Sequence, residues 1–250
     1  MGYVIAMAGK GGTGKTTIAA LIVRIIKEEK LGSVLAIDAD PNSNLAESLG
    51  VKLKATIGQI VDDIAAHPEK VPVGMGKDNF IEYEVQTAIS EGDGFDLLAM
   101  GRPEGPGCYC YVNNVLRNLM GKLIKDYDYV VIDNEAGLEH LSRRTTRSAD
   151  AMVVVSSAAS VGLKAAERIS GLVKELNIKV KNGFLVINCN DKDIDKDKLK
   201  GLKLEYLGSL PEDKEIEALS LGSGSLMDLP RNAASLTGLR RLGEKIWQRN

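Results

Sequence analysis

Short, almost wholly apolar runs alternate with segments of helical period along the whole chain. The runs "YVIAMA" (3–8), "SVLAID" (33–38), "FDLLAM" (95–100), "YVVID" (129–133), "AMVVVS" (151–156), "GFLVIN" (183–188) and "LEYLGSL" (204–210) predict strands. Several lack the polar alternation of a half-exposed strand, as strands covered on both faces of a parallel sheet require. Residues 15–29, 111–125, 161–176 and 231–249 predict helices between and after them. The alternation predicts a single α/β domain over residues 1–250, a doubly wound, mostly parallel sheet with helices on both faces. Residues 67–94, with Gly, Pro and mixed charge, read as an irregular excursion, and the charge run 190–203 as a solvated loop and exposed helix.

Composition removes several classes of function. The 250 residues carry 32 basic and 34 acidic side chains, a net charge of −2, so nothing favours a nucleic-acid partner. "MGYVIAMAGKGG" has no basic leader or cleavage site, and no apolar run is long enough to span a bilayer. Three cysteines are too few for a disulfide scaffold, and a reducing cytoplasm is the expected compartment.

The first strand runs into "GKGGTGKTT" (9–17), which fits G-x-x-x-x-G-K-[ST] with Gly9, Gly14, Lys15 and Thr16 at the fixed positions. Gly9, Gly11, Gly12 and Gly14, with Thr13 and Thr17 in the same loop, let backbone N–H groups fold around phosphate oxygens, and the helix that follows adds positive potential. Lys15 is expected at the β- and γ-phosphates and the Thr16 hydroxyl on Mg²⁺. "IDADPNSNL" (37–45) places Asp38 and Asp40 two apart, on one side of an extended chain at a strand end. "VVIDNEAG" (130–137) places Asp133 at another.

Lys10, directly after the first glycine, makes "GKGGTGKT" resemble the deviant phosphate loop of the SIMIBI ATPases, the group of MinD and the nitrogenase iron protein. The resemblance implies that Lys10 crosses a dimer interface to stabilise charge on the partner's nucleotide during transfer. It makes Asp40 the residue that orients the attacking water, Asp38 a support for the metal and Asp133 a magnesium ligand through water, with Gly137 letting the loop turn. By the same resemblance Asn188, in "VINCN", reads adenine and the loop at Pro211, in "SLPED", covers the base. ATP is favoured over GTP because no N/T-K-x-D guanine-reading motif follows that strand.

Cys108 and Cys110 stand in "GPGCYCYVNN", ahead of the predicted helix. Gly105, Pro106 and Gly107 disfavour helix there, and in extended chain thiols at i and i+2 face one way. A nearby helix N-terminus favours thiolate, and a disulfide across one residue would be strained. Two thiolates half fill a four-coordinate Ni²⁺ or Zn²⁺ site, which a twofold dimer would complete. With Lys10, "DADPN" and "DNEAG", this Cys-x-Cys closely resembles the CooC-like nickel-insertion ATPases over nearly the whole chain. The resemblance implies a nucleotide- and metal-dependent homodimer that binds ATP, Mg²⁺ and Ni²⁺ (Zn²⁺ competing) and serves carbon monoxide dehydrogenase or acetyl-CoA synthase. An iron–sulfur scaffold or reductase and a MinD-like positioning ATPase are the alternatives.

Cys189 reads as a buried strand thiol, His67 as a surface turn and His140 as a helix cap or surface residue. Tyr109 and Tyr111 either shield the metal or line a dimer interface. The basic, amphipathic segment 235–250 is expected to pack its apolar stripe on the sheet; lying on a membrane is the alternative.

Overall fold

A computed structural model of the protein describes residues 2–102, 109–135, 148–176, 178–192, 194–222 and 224–248. The strands are β1 (Tyr3–Gly9), β2 (Val34–Ala39), β3 (Ser90–Gly92), β4 (Phe95–Ala99), β5 (Tyr129–Asn134), β6 (Ser148–Ser156), β7 (Lys179–Ile187) and β8 (Glu205–Ser209). The helices are α1 (Lys15–Glu28), α2 (Asn44–Ser48), α3 (Ile57–Ala66), α4 (Lys77–Thr87), α5 (Tyr109–Asp126), α6 (Ser160–Glu175), α7 (Lys214–Leu221) and α8 (Ala234–Trp247).

The strands form one eight-stranded sheet in the order β3-β4-β2-β5-β1-β6-β7-β8, parallel except for β3, which pairs antiparallel with β4 at the edge. As the apolar runs predict, β2 and β5 are buried at every position, because helices cover both faces. Alternate residues feed two cores. Ile5, Met7, Ala36 and Val131 join α1 and α8 on one face, while Val4, Ala6, Ile37 and Ile132 join α3, α4 and α6 on the other. The last helix packs as expected: Leu236, Leu239 and Ile246 are fully buried, and the Tyr129 hydroxyl donates to the Trp247 carbonyl at 2.9 Å.

The expectation for residues 67–94 is corrected. A 3₁₀ turn (Pro68–Lys70), α4 and β3 occupy much of that stretch. Only Ile81 and Val85 of α4 are buried, so its apolar pattern is too thin to announce a helix. The charge run holds a 3₁₀ turn (Lys196–Leu199) instead of a longer exposed helix. Among the described residues no helix is long and apolar enough to cross a membrane.

Candidate nucleotide site

The C-terminal ends of β1, β2, β5 and β7 bring the predicted residues together, where open parallel sheets place their ligand crevice. The loop between β1 and α1 turns through three glycines of positive φ: Gly9 (149°), Gly12 (77°) and Gly14 (90°). Two of them are also places of close approach. A Cβ on Gly9 would stand 2.4 Å from the Val155 carbonyl oxygen, and one on Gly14 2.3 Å from Asn188 Nδ2. Gly14 is the N-cap of α1 and supplies no capping side chain, so no side-chain cap meets the N–H groups of the first turn. At α3, by contrast, Thr56 and Gln59 close a capping box of their own.

Lys15 is buried and its Nζ donates to the Lys10 carbonyl at 3.3 Å, while Thr13 Oγ1 donates to the same oxygen at 2.9 Å. Lys10, Gly11 and Gly12 are exposed, and Thr17 is half-buried. Asn188 is bound to the loop itself, its Nδ2 donating to the Thr13 carbonyl at 3.0 Å, which leaves Oδ1 as an acceptor. Pro211 lies alongside, because Leu210 N donates to the Ile187 carbonyl at 2.8 Å and Asn190 N to the Leu210 carbonyl at 2.9 Å.

Thr16 Oγ1 donates to Asp133 Oδ2 at 2.5 Å. Asp133 is buried, and its Oδ1 has no hydrogen-bond partner among the described residues. Asp38 is fully buried; its two oxygens accept from Asp40 N at 3.0 Å and Leu45 N at 2.8 Å, folding the loop after β2 back on itself. Asp40 is half-buried, with Oδ1 accepting from the backbone N and Nδ2 of Asn42. Burial, then the nearby carboxylates, pushes Asp38 up to about 7 against the Leu45 and Asp40 hydrogen bonds. Burial likewise pushes Asp133 up to about 6, against the pull of Thr16 and Lys15. An unmet buried carboxylate oxygen beside a hydroxyl is the hard-oxygen set that magnesium takes, so the residues present fit that ion.

Sequence reasoning passed over Asn134. It is buried behind Asp133, its Nδ2 donates to the Met7 carbonyl at 2.8 Å, and its Oδ1 is unpartnered among the described residues. A polar residue ending an apolar strand was the available signal. Ser43 was also passed over; it holds φ 53° after Asp40, with a buried, unpartnered hydroxyl. The reading of Cys189 is corrected: it lies past the end of β7 at φ 52°, and its thiol is exposed. His67 is an exposed cap of α3, 3.1 Å from Asp63 Oδ1.

Of the thiol pair, Cys110 falls in the first turn of α5, which starts two residues before the predicted 111, so the expectation of extended chain across the pair is corrected at Tyr109 and Cys110. Cys108, Gly137 and His140 lie outside the described residues, and of Tyr109, Cys110 and Tyr111 only the place on the helix is described.

Comparison with known proteins agrees with this geometry. The CobQ/CobB/MinD/ParA nucleotide binding domain matches residues 4–225. An uncharacterized ATP-binding protein of Methanocaldococcus jannaschii is 42% identical over 248 residues, covering 97% of this chain and 98% of that one. The carbon monoxide dehydrogenase accessory protein CooC of Rhodospirillum rubrum is 30% identical over 236 residues, covering 90% and 89%. In fold, the septum site-determining protein MinD of Pyrococcus horikoshii, complexed with Mg-ADP, superposes with a TM-score of 0.71 at 19% identity, over 99% of this chain and 97% of that one. Phosphate loop, buried aspartates and whole-chain similarity together place the chain in the CobQ/CobB/MinD/ParA family, as a P-loop ATPase of the SIMIBI class.

Proposed function

We propose that residues 1–250 act as one ATPase domain, a metallochaperone that carries Ni²⁺ between two copies of the chain and supports its insertion into carbon monoxide dehydrogenase or acetyl-CoA synthase. The observation that carries this reading is the 30% identity to a carbon monoxide dehydrogenase accessory protein, in a chain that has its own Cys108-x-Cys110. Two thiolates from each protomer make a four-coordinate site for the metal cargo, and the head of α5 at Tyr109 lends them positive potential.

The nucleotide chemistry is assigned residue by residue. Backbone N–H groups from Gly9 to Thr17 cradle the phosphates, and Lys15 exchanges the Lys10 carbonyl for the β- and γ-phosphate oxygens. Thr16 directly and Asp133 through water would hold Mg²⁺, with Asp38 supporting them by ordering the loop that carries Asp40. When bound, the ion neutralises charge on the β- and γ-oxygens. Asp40, within reach of solvent, orients the attacking water, and exposed Lys10 reaches the nucleotide of the second protomer. Asn188 Oδ1 accepts from the exocyclic amine of adenine, a donor that guanine lacks at that position, and the loop at Pro211 covers the base.

Native mass spectrometry of anaerobic protein, with and without Ni²⁺ and Mg-ATP, tests the reading beside a Cys108→Ala/Cys110→Ala variant. One nickel per dimer is expected, lost in the variant while ATP binding persists. A metal-free dimer formed by ATP alone would overturn the metal assignment, and visible absorbance after anaerobic reduction would replace it with an iron–sulfur cluster.

A further inference from the structure

The loop at Pro211 is fastened to the last helix of the chain. Asp213 closes two helix ends at once. As the N-cap of α7 its Oδ1 accepts from Glu215 N at 3.1 Å, while its Oδ2 accepts from Ser235 N at 2.8 Å in the first turn of α8. Ala233, the N-cap of α8, supplies no capping side chain, so Asp213 meets an N–H that α8 cannot satisfy itself. Ser235 is buried, and its Oγ donates back to the Pro211 carbonyl at 3.3 Å. Pro211, Asp213 and Ser235 thus close a ring between the loop after β8 and the head of α8.

Packing extends this seat. A Cβ on Gly238 would stand 3.1 Å from Leu210 Cδ2 and 3.9 Å from Pro211 Cδ, so α8 lies directly against the loop where it lacks a side chain. Further along, Leu242 occupies the space beside Gly208, where a Cβ would be 2.6 Å from Leu242 Cδ2. Ser235, Gly238 and Leu242 are three and four residues apart and share one face of α8, laid along β8 and the loop beyond it. Leu210 is fully buried, and its carbonyl accepts from Asn190 N at 2.9 Å, so the same seat also steadies the chain just past Asn188. At its other contact α8 reaches α1, the helix that follows the phosphate loop, through the pair Arg240–Glu28.

We infer that Asp213 and Ser235 are positioning residues for the nucleotide base, seating the Pro211 loop on α8 at a set distance from the phosphate loop. The inference rests on the reading that this loop covers adenine, and it is independent of the thiols and their metal. Both side chains act through the loop: the oxygens of Asp213 are taken up by Glu215 N and Ser235 N, and the Ser235 hydroxyl by Pro211. A loop ordered before the nucleotide arrives loses less freedom when it binds, so the seat raises affinity through the base end alone. The phosphate end owes its order to the glycines and Lys15 and does not draw on this ring.

The test compares ATP with inorganic tripolyphosphate, both with Mg²⁺, as competitors of a fluorescent ATP analogue on the full chain. Asp213→Ala and Ser235→Ala should each weaken ATP about tenfold and leave tripolyphosphate unchanged. Lys245→Ala, exposed on the same helix and paired with Glu205, should change neither. A substitution that merely loosens the fold lowers both ligands together, so parallel losses in the two variants overturn the inference. Unchanged ATP affinity in both overturns it as well. Asn188→Ala keeps the two readings apart. If it narrows the preference for ATP over tripolyphosphate while Asp213→Ala and Ser235→Ala do not, the inference alone falls. If it too leaves that preference intact, the adenine reading falls and takes the inference with it.

Discussion

Asp38 and Asp133 lie side by side in parallel register on β2 and β5, both buried, with their carboxyls driven up to about 7 and about 6. Two acids held at one strand end without a cation are each easier to keep protonated than to ionise. The folded chain therefore keeps these protons at a pH where the unfolded chain, with an ordinary value of 3.8, has lost them.

The first prediction follows by linkage. A carboxyl raised in the folded state stabilises the fold at low pH and loses that contribution as pH rises from the unfolded value through the folded one, about 1.4 kcal/mol for each tenfold difference in proton affinity. Without magnesium, melting temperature should fall as pH is raised from about 5 to about 8, and Asp133→Asn should flatten the slope. Adding Mg²⁺ should restore stability chiefly at the upper end. A slope identical in wild type and Asp133→Asn would refute the assignment.

Gly14→Ala meets two obstacles, φ 90° and an Asn188 Nδ2 that would stand 2.3 Å from the new Cβ. Nucleotide binding, followed by calorimetry, should be lost. Adding Asn188→Ala removes the contact but leaves the backbone strain of about 1–2 kcal/mol, so, measured against Asn188→Ala alone, the double variant should recover only in part. Full recovery would show that the left-handed backbone is not needed.

Lys10 and Lys15 should separate cleanly. Lys15→Ala removes the buried ammonium beside the phosphate loop and should weaken ATP binding itself. Lys10→Ala should leave Mg-ADP affinity near wild type while hydrolysis falls about a thousandfold, as for other charges supplied to the transition state in trans. Equal losses in binding for the two variants would contradict a role for Lys10 across the dimer.

Away from the site, Glu28 ties α1 to the C-terminal part of the chain. Its Oε1 is 2.9 Å from Arg24 Nε and its Oε2 meets Arg240, while Arg24 Nη1 donates to the Leu226 carbonyl at 2.7 Å. Burial pushes the Glu28 carboxyl up, but Arg24, Arg240 and Arg231 outweigh it and hold it below its usual value of 4.5. Glu28→Ala strands buried Arg24 and should cost about 3 kcal/mol in urea melts near neutral pH. A depressed carboxyl contributes stability above its unfolded value and loses it as pH falls through the folded one, so the difference between wild type and variant should shrink below about pH 4.

Features whose information is local were legible in the chain before any fold was known. Apolar runs along β2 and β5 announce strands buried on both faces, and the spacing of Gly9, Gly14, Lys15 and Thr16 announces the phosphate loop, because backbone conformation and residue type decide both. Tertiary structure decided what depends on neighbours far along the chain. Asp38 was legible as an acid at a strand end, but only the fold shows its oxygens spent on the N–H groups of Asp40 and Leu45. Asn188 was legible as a strand-end amide, yet its Nδ2 is held by Thr13, 175 positions away in sequence. Cys189, apolar by context, is turned outward by its left-handed backbone just beyond β7. The helix α4 left almost no periodic trace, since only Ile81 and Val85 are fully buried, with Phe80 packed half-buried against the core beside them. Period and spacing belong to one stretch of chain; burial, hydrogen-bond partners and raised carboxyls exist only once distant strand ends meet.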